Sequence, residues 1–373
     1  MGSGKTVNKM VSASNLHDLV ESSIQEGIFP GCSLVVSEGP GKRRIERSWG
    51  RLTYAPWSPE VTPGTIFDLA SLTKPLAVAV PLAVLAANGV IGLDTRISHV
   101  IPKSQDVSAG RLTLRRLLCH TGGLAPLRPL YERLETLPPE ARREALLAML
   151  LEEEADPSCR VASYSDLGYL LLGFVIEEVT GLSLDAAARD LVFSPFGAPD
   201  LSFGPMNGLS MEGVAPAGFC PRKKRVIWGE VHDPNARAAG GVAGHAGLFG
   251  SAQAVASVLE SLLAIFQGSM EISGLSRGVL AEFFRRQGLD PASTWALGFD
   301  TPSSSGSSAG RMFAPESVGH LGYTGTSFWM DLAAGIIVVF LSNRTFPHDT
   351  ERSRLAMKAF RPCLHDLARA ELA

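Results

Sequence analysis

The chain has 373 residues, 45% of them hydrophobic and 19% charged, with a formal net charge of -3. That length can bury a large core, and it suggests two lobes or one large domain with an insertion. The nearly neutral balance offers no electrostatic footprint for nucleic acid, and the one basic cluster, Pro221–Val226, reads as a solvated turn.

The opening stretch, "MGSGKTVNKMVSASNLHDLVESS", lacks the apolar core of a signal peptide. Its first six residues fit a myristoylation pattern and half of a phosphate loop. The loop lacks its leading Gly and a preceding strand, so both read as chance matches. As the chain stands the expected location is cytoplasmic, or periplasmic or secreted if a leader was removed. No apolar run reaches membrane-spanning length without Pro or charge, so no membrane span is expected. The five cysteines, Cys32, Cys119, Cys159, Cys220 and Cys363, are scattered and form no Cys-x-x-Cys. With HExxH also absent, neither a disulfide framework nor a metal site is indicated, and a reducing compartment is the simplest match.

In chain order, Asn15–Gly27 has helical periodicity and ends in Gly. "GCSLVVSEG" and "RRIERSWGRL" read as two strands joined by the turn "GPGK". The segment Thr65–Gly89, "TIFDLASLTKPLAVAVPLAVLAANG", predicts a buried helix from Ser71 to Asn88 with Gly89 as its stop. Ser71 stands at the N-cap or first turn, where Pro75 is tolerated; Pro81 predicts a kink or break. Positions i and i+3 share a helix face, which sets Lys74 beside Ser71. A lysine in so apolar a run must be paired or neutral, since burial lowers a lysine pKa by up to ~3–5 units. A neutral lysine could serve as general base for the serine, and the helix N-terminus adds amides for a developing negative charge. The plainer alternative is that Lys74 snorkels to water. Ser71 is the only serine followed three residues later by lysine.

Further on, "TLRRLLCHTGGL" ends a helix at paired glycines, with His120 read as structural. "LPPEARREALLAMLLEEE" is an amphipathic helix, and "YSDLGYLLLGFVIEEVTG" is a helix with a Ser/Asp cap that stops at Gly181. A Gly/Pro-rich stretch runs to Gly250, and helical patterning resumes at Ala252–Gln267. "TPSSSGSSAGR" is a flexible loop tip. "VGHLGYTGTSFWMDLAAGIIVVFLSNR" reads as two strands around a Leu-Ala-Ala-Gly turn, with a last helix from about Thr350. Strands at both ends suggest one antiparallel sheet flanked by helices, an α+β arrangement. Residues 1–95 and 288–373 would form the α/β lobe and residues 96–287 a mainly helical insertion, with a site expected in the cleft between them.

Five segments, "FDLASLTKPLA", "LLCHTGGL", "YSDLGYLLLG", "GGVAGHAGLFGSA" and "GHLGYTGTSFWMD", stand in the order seen in serine hydrolases resembling class C β-lactamases. D-alanyl-D-alanine carboxypeptidases and certain esterases share this family, and the likeness covers roughly Gly27 to Arg344. The resemblance implies the β-lactamase/transpeptidase-like fold, with Ser71 as nucleophile, Lys74 as proton acceptor and Tyr164 as the relay to the leaving group. The backbone amides of Ser71 and Tyr323 would form the oxyanion hole. The family's Tyr-x-Asn falls at Tyr164-Ser165-Asp166, so a carboxylate replaces the amide; Asp166 could hold Lys74 or a substrate amine, or simply cap the helix. The Lys/His-Thr-Gly element falls at His320-Leu321-Gly322. His320 would anchor a substrate carboxylate or tune the relay, Gly322 would permit close backbone approach, and Leu321 removes a carboxylate-binding hydroxyl. In Gly229–Gly247, His232, His245, Asp233 and Asn235 would line the cleft, or else tie down the loop.

The expected function is a serine hydrolase working through an acyl-enzyme on Ser71, with no cofactor and no metal. Its partner would be a small-molecule or peptide substrate, an ester or a D-amino-acid amide, with weak β-lactam hydrolysis as a side activity. The alternatives are a β-lactamase proper and a non-catalytic penicillin-binding-like protein. The oligomeric state stays open.

Overall fold

The computed structural model describes residues 15–204, 206 and 213–372; the six-residue start that matched two motifs lies outside them. Both ends of the chain build one antiparallel sheet. Strand Gly31–Ser37 pairs with Arg44–Gly50 on one side and with Ile336–Ser342 on the other. Ser327–Asp331 and Val318–Leu321 complete the sheet.

Side chains alternate across a strand, and here the two faces feed two cores. Leu34, Val36, Val338 and Phe340 pack with the N-terminal helix Leu16–Gln25 and the last helix Glu351–Ala370. Val35, Ile337 and Val339 face the larger core, which runs on through the helical part of the chain. The strands therefore read as continuous apolar runs because helices cover both faces.

The Ser165 cap and the Gly181 stop read from sequence recur. Asn15, Ser165, Ser251 and Thr350 each accept a first-turn amide, and Gly181 closes its helix at φ 66°. Three expectations shift. The "VGHL" segment forms a strand of its own, four residues long; Gly319 is there because a Cβ would lie 2.4 Å from Trp329. The helix Ala252–Phe266, inside the range assigned to the insertion, packs on Gly31–Ser37 and Ile336–Ser342 and so belongs to the sheet layer. Pro81 breaks nothing: a π-turn over Pro75–Ala79 shifts the hydrogen-bond register just before it, with the Val80 amide reaching the Pro75 carbonyl.

Among the described residues one helix, Ala70–Ala87, is long and apolar enough to cross a membrane, and 83% of it is buried inside the protein. It is the central helix of the larger core.

Candidate active site

The short strand Phe67–Asp68 pairs with Leu248–Gly250 and delivers the chain to Ser71. Just before the serine, Ala70 adopts a left-handed conformation at φ 48°. A residue with a Cβ is strained there and stays only if its surroundings fix it. They do. The Asp68 carboxylate accepts the Ala70 amide at 2.9 Å, and Thr73 donates to the Ala70 carbonyl at 2.6 Å. From the other side of the site, Thr324 and Thr326 donate to the carbonyls of Asp68 and Leu69 at 2.8 and 3.1 Å. Ser71 therefore sits at the middle of a tight turn, Ala70–Leu72, docked directly on the loop that follows His320.

Lys74 is fully buried. Its Nζ lies 2.9 Å from Ser71 Oγ and 3.1 Å from the His245 carbonyl, and it makes an ion pair at 2.7 Å with Asp166. Three donors thus meet three acceptors. Burial works against the ammonium, but Asp166 and then Tyr164 outweigh it and hold the Lys74 pKa above its usual value. The lysine is paired rather than neutral, and in the resting site it donates to Ser71 instead of accepting from it. Asp166 is the first residue of the helix Asp166–Thr180, where the helix dipole favours a carboxylate.

Tyr164 is 36% exposed, and its ring lies against Lys74, with Nζ 4.7 Å from the ring centroid. Burial raises the phenol pKa, and Lys74 offsets this in part. The ring leans on His120 and Trp295, with centroids 4.6 and 5.6 Å away. His120 accepts the Ser165 amide at 3.1 Å, so it supports the Tyr164 turn from behind.

Opposite the serine, Gly322 allows an approach no other residue could make: a Cβ would lie 1.9 Å from Thr326 Oγ1 and 2.8 Å from the Leu69 carbonyl. Among the described residues, neither the Ser71 nor the Tyr323 amide donates to a backbone carbonyl. Both remain available for a substrate oxygen. His320 donates through Nδ1 to the Leu321 carbonyl at 2.9 Å, which leaves Nε2 as a buried acceptor without a partner. Burial, reinforced by Lys74, pushes its pKa down to about 3. An uncharged ring does not anchor a carboxylate by charge, which corrects that part of the expectation for His320.

Beside Ser71 lies a cavity of about 460 Å³, lined by Asp68, Asp166, Tyr323, Leu127, Tyr131 and His232 among others. His232 stacks on Tyr323 at 5.8 Å. Asn235 also reaches the wall, but its amide is committed to the Tyr131 amide and the Arg128 carbonyl, both at 2.9 Å, and so holds the facing loop. Asp233 pairs with His245 at 2.8 Å. Burial works against the Asp233 carboxylate, yet His245 and the Ala236 amide bring its pKa down to about 2. Asp68 is held the other way, pushed up to about 6 by burial despite accepting the His232 and Ala70 amides.

Sequence reasoning did not single out Asp68, Thr73, Thr324, Thr326 or Trp295. Asp68 and the three threonines lie inside the quoted segments "FDLASLTKPLA" and "GHLGYTGTSFWMD", but a hydroxyl that serves a carbonyl 256 residues away leaves no local pattern.

The Beta-lactamase family profile matches residues 16–360. A protein of Escherichia coli K12 named "Putative D-alanyl-D-alanine carboxypeptidase" is 31% identical over 322 residues, spanning 78% of this chain and 71% of its own. Among solved structures, EstCE1, titled a hydrolase with promiscuous acyltransferase activity, has a TM-score of 0.70 at 20% identity, covering 97% of this chain and 99% of its own. A class C β-lactamase of Rhodobacter sphaeroides has a TM-score of 0.67 at 20% identity, covering 97% of this chain and all (100%) of its own. At that identity the two structures speak for the fold. The chain belongs to the Beta-lactamase family of serine hydrolases.

Proposed function

We propose that this family member hydrolyses an ester or a D-amino-acid amide through an acyl-enzyme on Ser71. One observation carries the reading: Ser71, Lys74 and Asp166 form a single hydrogen-bonded and ion-paired chain, with the Tyr164 ring against Lys74, at the edge of a cavity. A serine so placed has a base within reach and two free amides for the oxyanion.

Because Lys74 rests as an ammonium, it can take the serine proton only by giving one away. Asp166, 2.7 Å from Nζ, is the receiver. As Ser71 Oγ attacks the carbonyl, its proton passes to Lys74 while a Lys74 proton passes to Asp166, and the oxyanion rests on the amides of Ser71 and Tyr323. Collapse breaks the bond to the leaving group, which takes the Tyr164 proton. Lys74 restores that proton to Tyr164, and Asp166 restores Lys74. Water then attacks the ester on Ser71 by the same relay in reverse, releasing the acid.

Leu127, Pro129 and Tyr131 give the cavity an apolar wall suited to an acyl group. Three features weigh against a substrate that ends in a free carboxylate beside the scissile bond: Asp166 is anionic, His320 is uncharged, and Leu321 has no hydroxyl. Arg128, which reaches the cavity, is paired with Glu153 at 2.9 Å. The name of the E. coli relative keeps D-amino-acid amides and peptides within the substrate range.

The test is intact-protein mass and product release with p-nitrophenyl acetate and with a penicillin, for wild type and Ser71→Ala. A Ser71-dependent acyl adduct with ester turnover is expected, with penicillin acylating slowly. Turnover that survives Ser71→Ala, or no adduct with either reagent, sinks the proposal.

A further inference from the structure

The amide of Tyr323 belongs to the peptide unit that begins at the Gly322 carbonyl. In a trans peptide the N–H and the C=O point in opposite directions, and resonance couples them. What holds the Gly322 carbonyl therefore also aims and polarises the Tyr323 N–H. The holder is Arg361, from the last helix: its Nη2 donates to the Gly322 carbonyl at 2.7 Å and to the Thr326 carbonyl at 2.8 Å.

Arg361 has no ion pair among the described residues, and its Nε is buried without a partner. Burying a guanidinium against carbonyls alone is costly. Burial, and then the neighbouring Arg344, push its pKa down to about 9, which leaves it a cation at neutral pH. Arg344 takes the next carbonyl, Tyr323, at 2.5 Å, but it pairs with Asp349 at 2.6 Å, a carboxylate that it shares with Arg354. Of these arginines, Arg361 is the one without a carboxylate among the described residues, and it stands on the peptide whose amide faces the serine.

We propose that Arg361 is a positioning residue of the oxyanion site, orienting and polarising the Gly322–Tyr323 peptide so that the Tyr323 amide binds the transition-state oxygen more strongly than the ground-state carbonyl. Interactions stronger in the transition state act on kcat rather than on KM. The inference rests on Ser71 as nucleophile. A wild type without Ser71-dependent turnover ends both readings, whereas an active wild type with equally active Arg361 variants ends this one alone.

The experiment is steady-state hydrolysis of p-nitrophenyl acetate by wild type, Arg361→Met and Arg361→Lys, together with inhibition by phenylboronic acid, whose tetrahedral adduct on the serine places an oxygen in the same hole. Losing an oxyanion donor outright costs ~10²–10³-fold, so weakening one by Arg361→Met should lower kcat by about 10–100-fold with little change in KM. The boronate should bind more weakly by a similar factor, and Arg361→Lys should recover part of both. If Arg361→Met does not fold, Arg361→Gln takes its place under the same criteria. A folded variant with kcat within about threefold of wild type overturns the proposal. So does a fall in kcat with unchanged boronate affinity, since that pattern belongs to general packing.

Discussion

The turn that carries Ser71 and the turn that carries Tyr323 touch through Thr324 and Thr326, but they are held in opposite ways. Around Ser71 the buried cation has its counter-charge within reach, since Lys74 lies on Asp166. Around Tyr323 the charge is not balanced locally, because Arg361 leans on backbone carbonyls while Arg344 and Arg354 share the carboxylate of Asp349. In the proposed reaction protons move on the first side, so paired groups that can exchange them without creating net charge suit it. In that reaction the negative charge appears on the second side, and a fixed positive field is what lowers its energy. The two turns are thus built for different parts of one reaction.

The sharpest way to break the oxyanion side is Gly322→Ala. Its Cβ would collide with Thr326 and with the Leu69 carbonyl, so the two turns must part and the Tyr323 amide moves away. A fall in kcat of ~10²–10³-fold is expected in p-nitrophenyl acetate hydrolysis. Near-normal kcat in a folded Gly322→Ala protein would show that the close approach is dispensable.

The proton side is sharpened by Asp166→Asn, which restores the amide common in the family. Asp166 is the first of the causes that raise the Lys74 pKa, so its removal lowers that pKa and leaves desolvation to dominate. The variant also loses the receiver for the lysine proton, and Lys74 must shed it to water before it can act. The expected result is a rate roughly tenfold lower at neutral pH that climbs as pH rises, where the wild-type rate is flat. A wild-type-like pH profile in Asp166→Asn would place the proton receiver elsewhere.

The last test concerns stability. Asp68 has a folded pKa of about 6 against an ordinary 3.8. As pH rises between these values, the unfolded chain gives up its proton while the native state keeps it, so the native state binds more protons and stability falls. Over that window the loss is roughly 3 kcal/mol, and it is complete above about pH 6. Asp68→Asn should remove that slope, although it replaces the acceptor for the His232 amide and lowers stability overall. Urea midpoints at pH 4 and pH 7 for both proteins measure it; equal differences between the two pH values would exclude Asp68 as the source.

Much of this was legible in the sequence because it is local. The Ser165 cap, the stop at Gly181 and the i, i+3 pairing of Ser71 with Lys74 all depend on residues within one helical turn of each other. The five ordered segments gave the family and its fold. The strand Val318–Leu321 was hidden because four residues with an internal glycine carry too little alternation to register. Pro81 misled because propensity alone cannot foresee that a π-turn will absorb it one turn earlier.

By itself, then, the sequence determined most of the elements, the pairing of Ser71 with its lysine, and the family to which they belong, since each is written in short-range spacing or ordered motifs. The tertiary structure decided the charge of Lys74, because an ion pair with Asp166, 92 residues away in number, outweighs the burial that apolar neighbours predict. It also decided that His320 is uncharged and that Asn235 holds a loop. Only the fold brings Arg361 behind the oxyanion peptide. Desolvation, Coulomb attraction and carbonyl geometry all depend on distance in space, and a linear chain does not record that distance.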